Sequence, residues 1–177
     1  MLGAAGSGNV IVDERRPTMT EITTTVQIDR PRSEVFAYLT DLRNAPEWST
    51  ELLRRTFDGE DVELGTTGVD ELRALGRVLV TPWEVTEYLP PESIEIEFGG
   101  ALSATSRFAF EEADSGTSTV MTCVTDLHLK GPILRMFTPL VAMDARRADE
   151  AQFRRAKQII ESRAGKAEGR TEQGRLK

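Results

Sequence analysis

PLVAMDARRADEAQFRRAKQIIES, running from Pro139 to Ser162, is the one long stretch of this chain with a sustained helical period, and its reading decides the fold. Stepped at about 100° per residue, Val141, Ala142, Ala145, Ala148, Phe153, Ala156, Ile159 and Ile160 fall inside one arc of roughly 140°. Arg146, Arg147, Glu150, Arg154, Lys157 and Glu161 fall outside it. Half of the apolar arc is alanine, which fills little volume, and Asp149 and Gln152 lie on the same arc. A helix that turns small residues and two polar ones toward a sheet leaves room for a ligand. Gln152 lies near the centre of the arc. Asp149 lies at its edge, where it either reaches the same space or snorkels into solvent.

Upstream of this helix the period is two. Thr20–Ile28 is rich in threonine and β-branched residues, with Ile22, Val26 and Ile28 on one parity, and reads as a strand. Pro31 then opens a helix in which Val35, Leu39 and Leu42 recur at helical spacing, and Ala45-Pro46 opens a second short turn to Trp48. Six short runs follow, each bounded by turn residues: Glu51–Phe57, Thr66–Ala74, Arg77–Tyr88, Ser93–Phe98, Leu102–Glu112 and Thr117–Leu129. Ser93–Phe98 alternates strictly. Alternation gives each strand one wet face, so the expected sheet is antiparallel and covered on one side only, with the long helix as its cover. Ile133–Thr138 reads as a short helix or loop, and Pro139 as the first turn of the long helix or a kink in it.

Residues 1–18 show no usable period and are read as a flexible leader, with Met19 as a candidate natural start. The polar stretch 163–177 is read as a disordered tail, leaving one domain over residues 19–162. The formal net charge of −7 repels a phosphate backbone, which argues against nucleic acid as a partner. A single cysteine fits a reducing compartment, and one cysteine with one histidine makes no zinc site, so no metal is expected. No run approaches the length of a membrane span, and no basic region opens a secretory signal, so the cytoplasm is the expected location.

The order of strand, two short helices, six strands and a long helix resembles the helix-grip fold of the START, polyketide-cyclase and pollen-allergen-like superfamily (SRPBCC). The matching residues are Ile28 through Leu42 (IDRPRSEVFAYLTDL), Pro46 and Trp48 of APEW, Leu64-Gly65, Trp83 through Pro91 (WEVTEYLPP) and Gly116-Thr117. The similarity runs from about residue 20 to residue 162. It implies an α+β fold in which a seven-stranded curved antiparallel sheet grips the C-terminal helix around a hydrophobic cavity. It implies no cofactor. It also leaves three functions open: a carrier or sensor of a small hydrophobic molecule such as a lipid or polyketide, a polyketide cyclase/aromatase-like enzyme, or a protein-interaction module of the chaperone-activator kind. Either a monomer or a homodimer suits these.

Parity places Ile94, Ile96 and Phe98 on one face and Leu102, Phe108 and Phe110 on another, both turned to the helix, as core or as pocket wall. The expected ligand-binding set is Trp48, Arg73, Trp83, Ile96, Phe98, Phe108, Phe110, Ala148, Gln152 and Ala156. In it Trp48 stands at the cavity mouth, as the resemblance implies. Arg73, if inward, holds a ligand oxygen, and the alanines set the volume. Asp126 and His128 share one face of the last strand and form the nearest approach to an acid/base pair, though both lie near a strand end. Cys123 reads as a small buried hydrophobe. No spacing supports a catalytic triad or a phosphate-binding glycine loop, so no catalytic residue is assigned.

Overall fold

The first strand, β1 (Met19–Ile28), buries Ile22, Thr24 and Ile28 and packs Val26 on the same side, while Thr23, Thr25 and Gln27 face outward. The computed structural model describes residues 19–74, 76–100, 102–129 and 138–174, so the leader and most of the 133–138 segment lie outside the described residues. Helix α1 (Arg32–Thr40) has Pro31 at its N-cap and sinks Val35, Phe36 and Leu39 into the core. Asp41 then accepts the Arg43 backbone N–H at 3.1 Å, which starts a single 3-10 turn leading into α2 (Ala45–Trp48).

Strands β2 (Leu52–Phe57), β3 (Thr67–Ala74), β4 (Arg77–Leu89), β5 (Ser93–Phe98), β6 (Leu102–Ala113) and β7 (Ser118–Leu129) form a meander. With β1 they make one seven-stranded antiparallel sheet in the order β1-β7-β6-β5-β4-β3-β2. Its curvature is helped by two register shifts, between Leu52 and Arg54 in β2 and between Val85 and Glu87 in β4. Pro82 interrupts β4. It has no N–H to give a ladder, and β5 pairs with β4 only from Trp83 onward, so residues 77–81 pair with β3 alone, while the Pro82 carbonyl accepts the Gly99 N–H at 2.7 Å. On this extension Val78 and Val80 point outward, 56% and 66% exposed.

Gly68 in β3 lies opposite Trp83 in β4, and the indole packs directly over it. A Cβ on residue 68 would stand 2.3 Å from the indole Cζ2 and 2.4 Å from the Thr56 carbonyl oxygen. Only glycine leaves the space.

The long helix α3 (Thr138–Gly174) has Pro139 in its first turn, not at a kink. It runs past Ser162 through residues 163–174, where the polar composition predicts no regular structure. Alanine, glutamate, lysine, arginine and glutamine in that stretch are good helix formers, and once a helix is anchored, extending it needs no apolar face. The anchor is Phe153, fully buried, edge-on to Phe108 at 5.9 Å and 6.2 Å from Trp48. Ala156 and Ile160 are buried beside it. Two polar clasps hold the outer side of α3. Lys157 binds Glu161 and the Gln27 carbonyl of β1, both at 2.7 Å. Arg163 binds Glu47 of α2 at 2.6 Å while lying over the Tyr38 ring.

Candidate functional site

Between the concave face of the sheet and α3 lies a cavity of ≈190 Å³. Its apolar wall comes from Ile94, Ile96 and Phe98 of β5, Phe108 and Phe110 of β6, and Phe153 of α3. Leu39, Leu42 and Trp48 close it from the short helices, and Ala145 gives it depth on the α3 side. The wall is therefore made by the strict alternation of β5 and β6, which turns every second residue toward the helix.

Polar groups enter this wall at several places. Arg55 and Asp70 form a buried ion pair, 11% and 1% exposed, with Arg55 Nε to Asp70 Oδ1 at 2.7 Å and the second N–H···O bond at 2.6 Å. Trp83 Nε1 also donates to Asp70 Oδ1 at 2.8 Å, and the guanidinium lies 5.3 Å from the Trp83 ring centroid. The carboxylate is thus held by three donors, the bidentate fork being the strong part. On the sheet floor Ser106 and Thr125 share a hydroxyl–hydroxyl bond at 3.0 Å, with Cys123 Sγ 3.7 Å from Thr125 Oγ1. Burial, and then the Asp149 charge, push the Cys123 thiol up to about 12.

On α3, Gln152 Nε2 donates to Asp149 Oδ1 at 2.8 Å, an i,i+3 pair turned to the cavity. Burial raises the Asp149 carboxyl to about 6, helped by the negative charge of Glu51 and opposed by the Gln152 bond. Glu51, also in the wall, is raised in turn by burial and by Asp144. Trp48 adds a polar group of a different kind. Its indole N–H is buried and makes no hydrogen bond among the described residues.

Of the residues expected from sequence, Trp48, Ile96, Phe98, Phe108, Phe110 and Gln152 line the cavity. Four do not. Arg73 is exposed, on the opposite face of β3 from Asp70 and Leu72; the inward guanidinium is that of Arg55. Trp83 lies behind the wall, bonded to Asp70, and borders a more open cleft of ≈640 Å³ around Gly68 and Pro82 instead. That cleft is rimmed by exposed Asp58, Glu84 and Glu97, so solvent already satisfies its polar groups. Ala148 is half-buried outside the lining, and Ala156 is packed in the core; Ala145, on the same helical arc, takes their expected place. Asp126 and His128 occupy the parity of β7 opposite to Met121 and Cys123, away from the cavity.

Arg55 and Asp70 escape a reading by parity for identifiable reasons. The register shift in β2 puts Leu52 and Arg55, an odd number of residues apart, on the same inward side. The Arg55–Asp70 pair depends on a cross-strand register that no local pattern encodes. Asp149, at the edge of the helical arc, is decided by what packs over that edge.

Known proteins share this architecture. No curated protein matches the chain in sequence. Among solved structures, it is similar to a START superfamily protein from Mycobacterium smegmatis (15% identity, TM-score 0.68, covering 80% of this chain and 97% of that one). The Zhui aromatase/cyclase from Streptomyces sp. R1128 superposes with a TM-score of 0.69 at 12% identity, over 82% of this chain and 96% of its own. A protein from Thermus thermophilus, TTHA0849, gives 0.70 at 15% identity, over 81% and 98%. At these identities the likeness is one of fold. The family model for polyketide cyclase / dehydrase and lipid transport matches residues 19–161, from the first residue of β1 to the Lys157–Glu161 clasp, and the chain belongs to that family.

Proposed function

We propose that this chain is a carrier or sensor that takes one small, largely apolar molecule into the cavity between the sheet and α3, acting in the cytoplasm. The observation that carries the reading is an aromatic and aliphatic wall, partly open to solvent and interrupted by a few buried or half-buried polar groups. The volume limits the ligand. An apolar cavity of about 150 Å³ accommodates benzene, so ≈190 Å³ suits a single ring with a short substituent. A folded polyketide chain or a two-chain lipid is much larger.

Burying about 200 Å² of apolar ligand surface yields roughly 5 kcal/mol, less the cost of immobilising the ligand. Polar contacts must therefore add to it before binding becomes useful. The Trp48 N–H is one such contact, because an unsatisfied buried donor costs about 1–3 kcal/mol that a ligand acceptor would relieve.

Native mass spectrometry of protein purified from its own cells tests this. One bound molecule of single-ring size per chain is expected. A bound phospholipid or polycyclic product would overturn the size argument. No bound molecule, together with no response of Trp48 fluorescence to ring compounds, would overturn the reading as a whole.

One observation favours an enzyme of the cyclase/dehydrase kind instead. A carboxyl raised to about 6 beside a cavity is suited to passing protons near neutral pH. Under that reading Asp149→Asn abolishes turnover of a cyclisable substrate and leaves its binding intact. Under the carrier reading there is no turnover to lose.

A further inference from the structure

The cavity wall is not electrically balanced. Four of its side chains carry formal charge: Arg55, Asp70, Glu51 and Asp149. Arg55 and Asp70 cancel each other in a closed pair whose acceptor oxygens are further occupied by Trp83. Glu51 and Asp149 remain. The Glu51 charge adds to the cost of ionising Asp149, burial and Asp144 do the same for Glu51, and neither is ion-paired with a cation among the described residues. The other groups facing Asp149 offer no compensation. Cys123 on the sheet is a neutral thiol, and Arg146 and Arg147 lie on the exposed side of α3, while the exposed Asp144 adds its negative charge at Glu51. Gln152 directs its amide N–H to Asp149 Oδ1 and keeps its carbonyl oxygen as an acceptor. Beside this acceptor-rich patch stand the rings of Trp48, Phe108 and Phe153, with Phe153 packed against Phe108 at 5.9 Å and Trp48 at 6.2 Å.

Carboxylates with no cation partner among the described residues, next to aromatic faces in a small, partly sheltered space, form the complement of an organic cation. We propose that the cavity selects a single-ring organic amine, whose ammonium group binds Asp149 and the Gln152 carbonyl while its ring packs among Trp48, Phe108 and Phe153. This rests on the ligand-binding reading above and adds to it the charge of the ligand. An ammonium supplies the counter-charge that the wall lacks. A neutral isostere fills the same volume without it, and a carboxylate adds another negative charge to the two already present.

Titrating the full chain with 2-phenylethylamine, 2-phenylethanol and phenylacetate, followed by calorimetry and tryptophan fluorescence, separates these cases. The amine should bind roughly tenfold or more tightly than the alcohol, and phenylacetate most weakly. Asp149→Asn keeps the Gln152 bond and removes a buried charge, so it should fold, and its amine and alcohol affinities should converge. Glu51→Gln should shrink the preference in the same direction but less. In the unsubstituted chain the preference should also fade between about pH 7.5 and pH 5, as Asp149 takes up its proton. Equal affinities, a preference for the acid, or an amine preference that survives in Asp149→Asn would each overturn the proposal. If none of the three probes binds, this proposal falls, while the ligand-binding reading falls only if the native mass spectrum also shows no bound molecule.

Discussion

Burial holds the Asp149 carboxyl near 6, above its ordinary 3.8, so the fold disfavours the ionised form. The stability this group contributes is therefore fully present below about pH 4 and is lost as pH rises through about 6. Asp149→Asn should make the protein more stable at pH 7 by ~1–3 kcal/mol, and should flatten the part of the pH dependence lying between those values. Urea denaturation at pH 7 and at about pH 5 checks both. The opposite sign is expected at Asp70. It is 1% exposed, and its loss leaves the Arg55 guanidinium buried without its counter-ion. Asp70→Ala should cost about 3–5 kcal/mol. Replacing both partners, Arg55→Met with Asp70→Leu, should recover only part of that: a well-packed apolar pair avoids the desolvation, but the buried Trp83 N–H loses its acceptor at a cost of about 1–3 kcal/mol.

At the scale of elements, β3 and β4 are held together at a point where the chain has no side chain to offer. A methyl group on residue 68 would meet both the Trp83 ring and the Thr56 carbonyl, and the latter is backbone that cannot rotate away. Gly68→Ala should therefore cost ~2–3 kcal/mol by chemical denaturation, large for so small a substitution in a strand. Trp83 should report it directly through its emission. The strands themselves were legible in the sequence to within a residue or two, since alternation and turn residues are local properties: Ser93–Phe98 is β5 without adjustment. The C-terminal limit of α3 was not legible. Amphipathic period marks the part of a helix that packs, through Ile160, and says nothing of residues that continue it on propensity alone. Arg55 was hidden by the register shift in β2, because two-residue periodicity cannot be read across a bulge.

For the molecule as a whole, the division between what packs and what leaves space falls along α3. Ala156 is buried in the core with Trp48, Phe153 and Ile160, whereas Ala145 opens onto the cavity. Sequence alone could not separate them, since both lie on the same helical arc and differ only in what stands opposite. Ala145→Leu should fill the cavity, leave stability within about 1 kcal/mol and abolish binding of single-ring ligands. Ala156→Leu should overpack the core, lowering stability by ~1–3 kcal/mol. Thermal denaturation and ligand titration of the two variants, measured side by side, distinguish space from core.

The interruption at Pro82 divides β4 in time as well as in pairing. From Trp83 to Leu89 the strand is flanked by β5, while on residues 77–81 the amides turned toward β5 have no strand opposite them. In deuterated solvent the first segment should hold its protons on the scale of global unfolding, and those amides should surrender theirs by local opening. A single strand would then carry two clocks, with the proline marking the boundary between them.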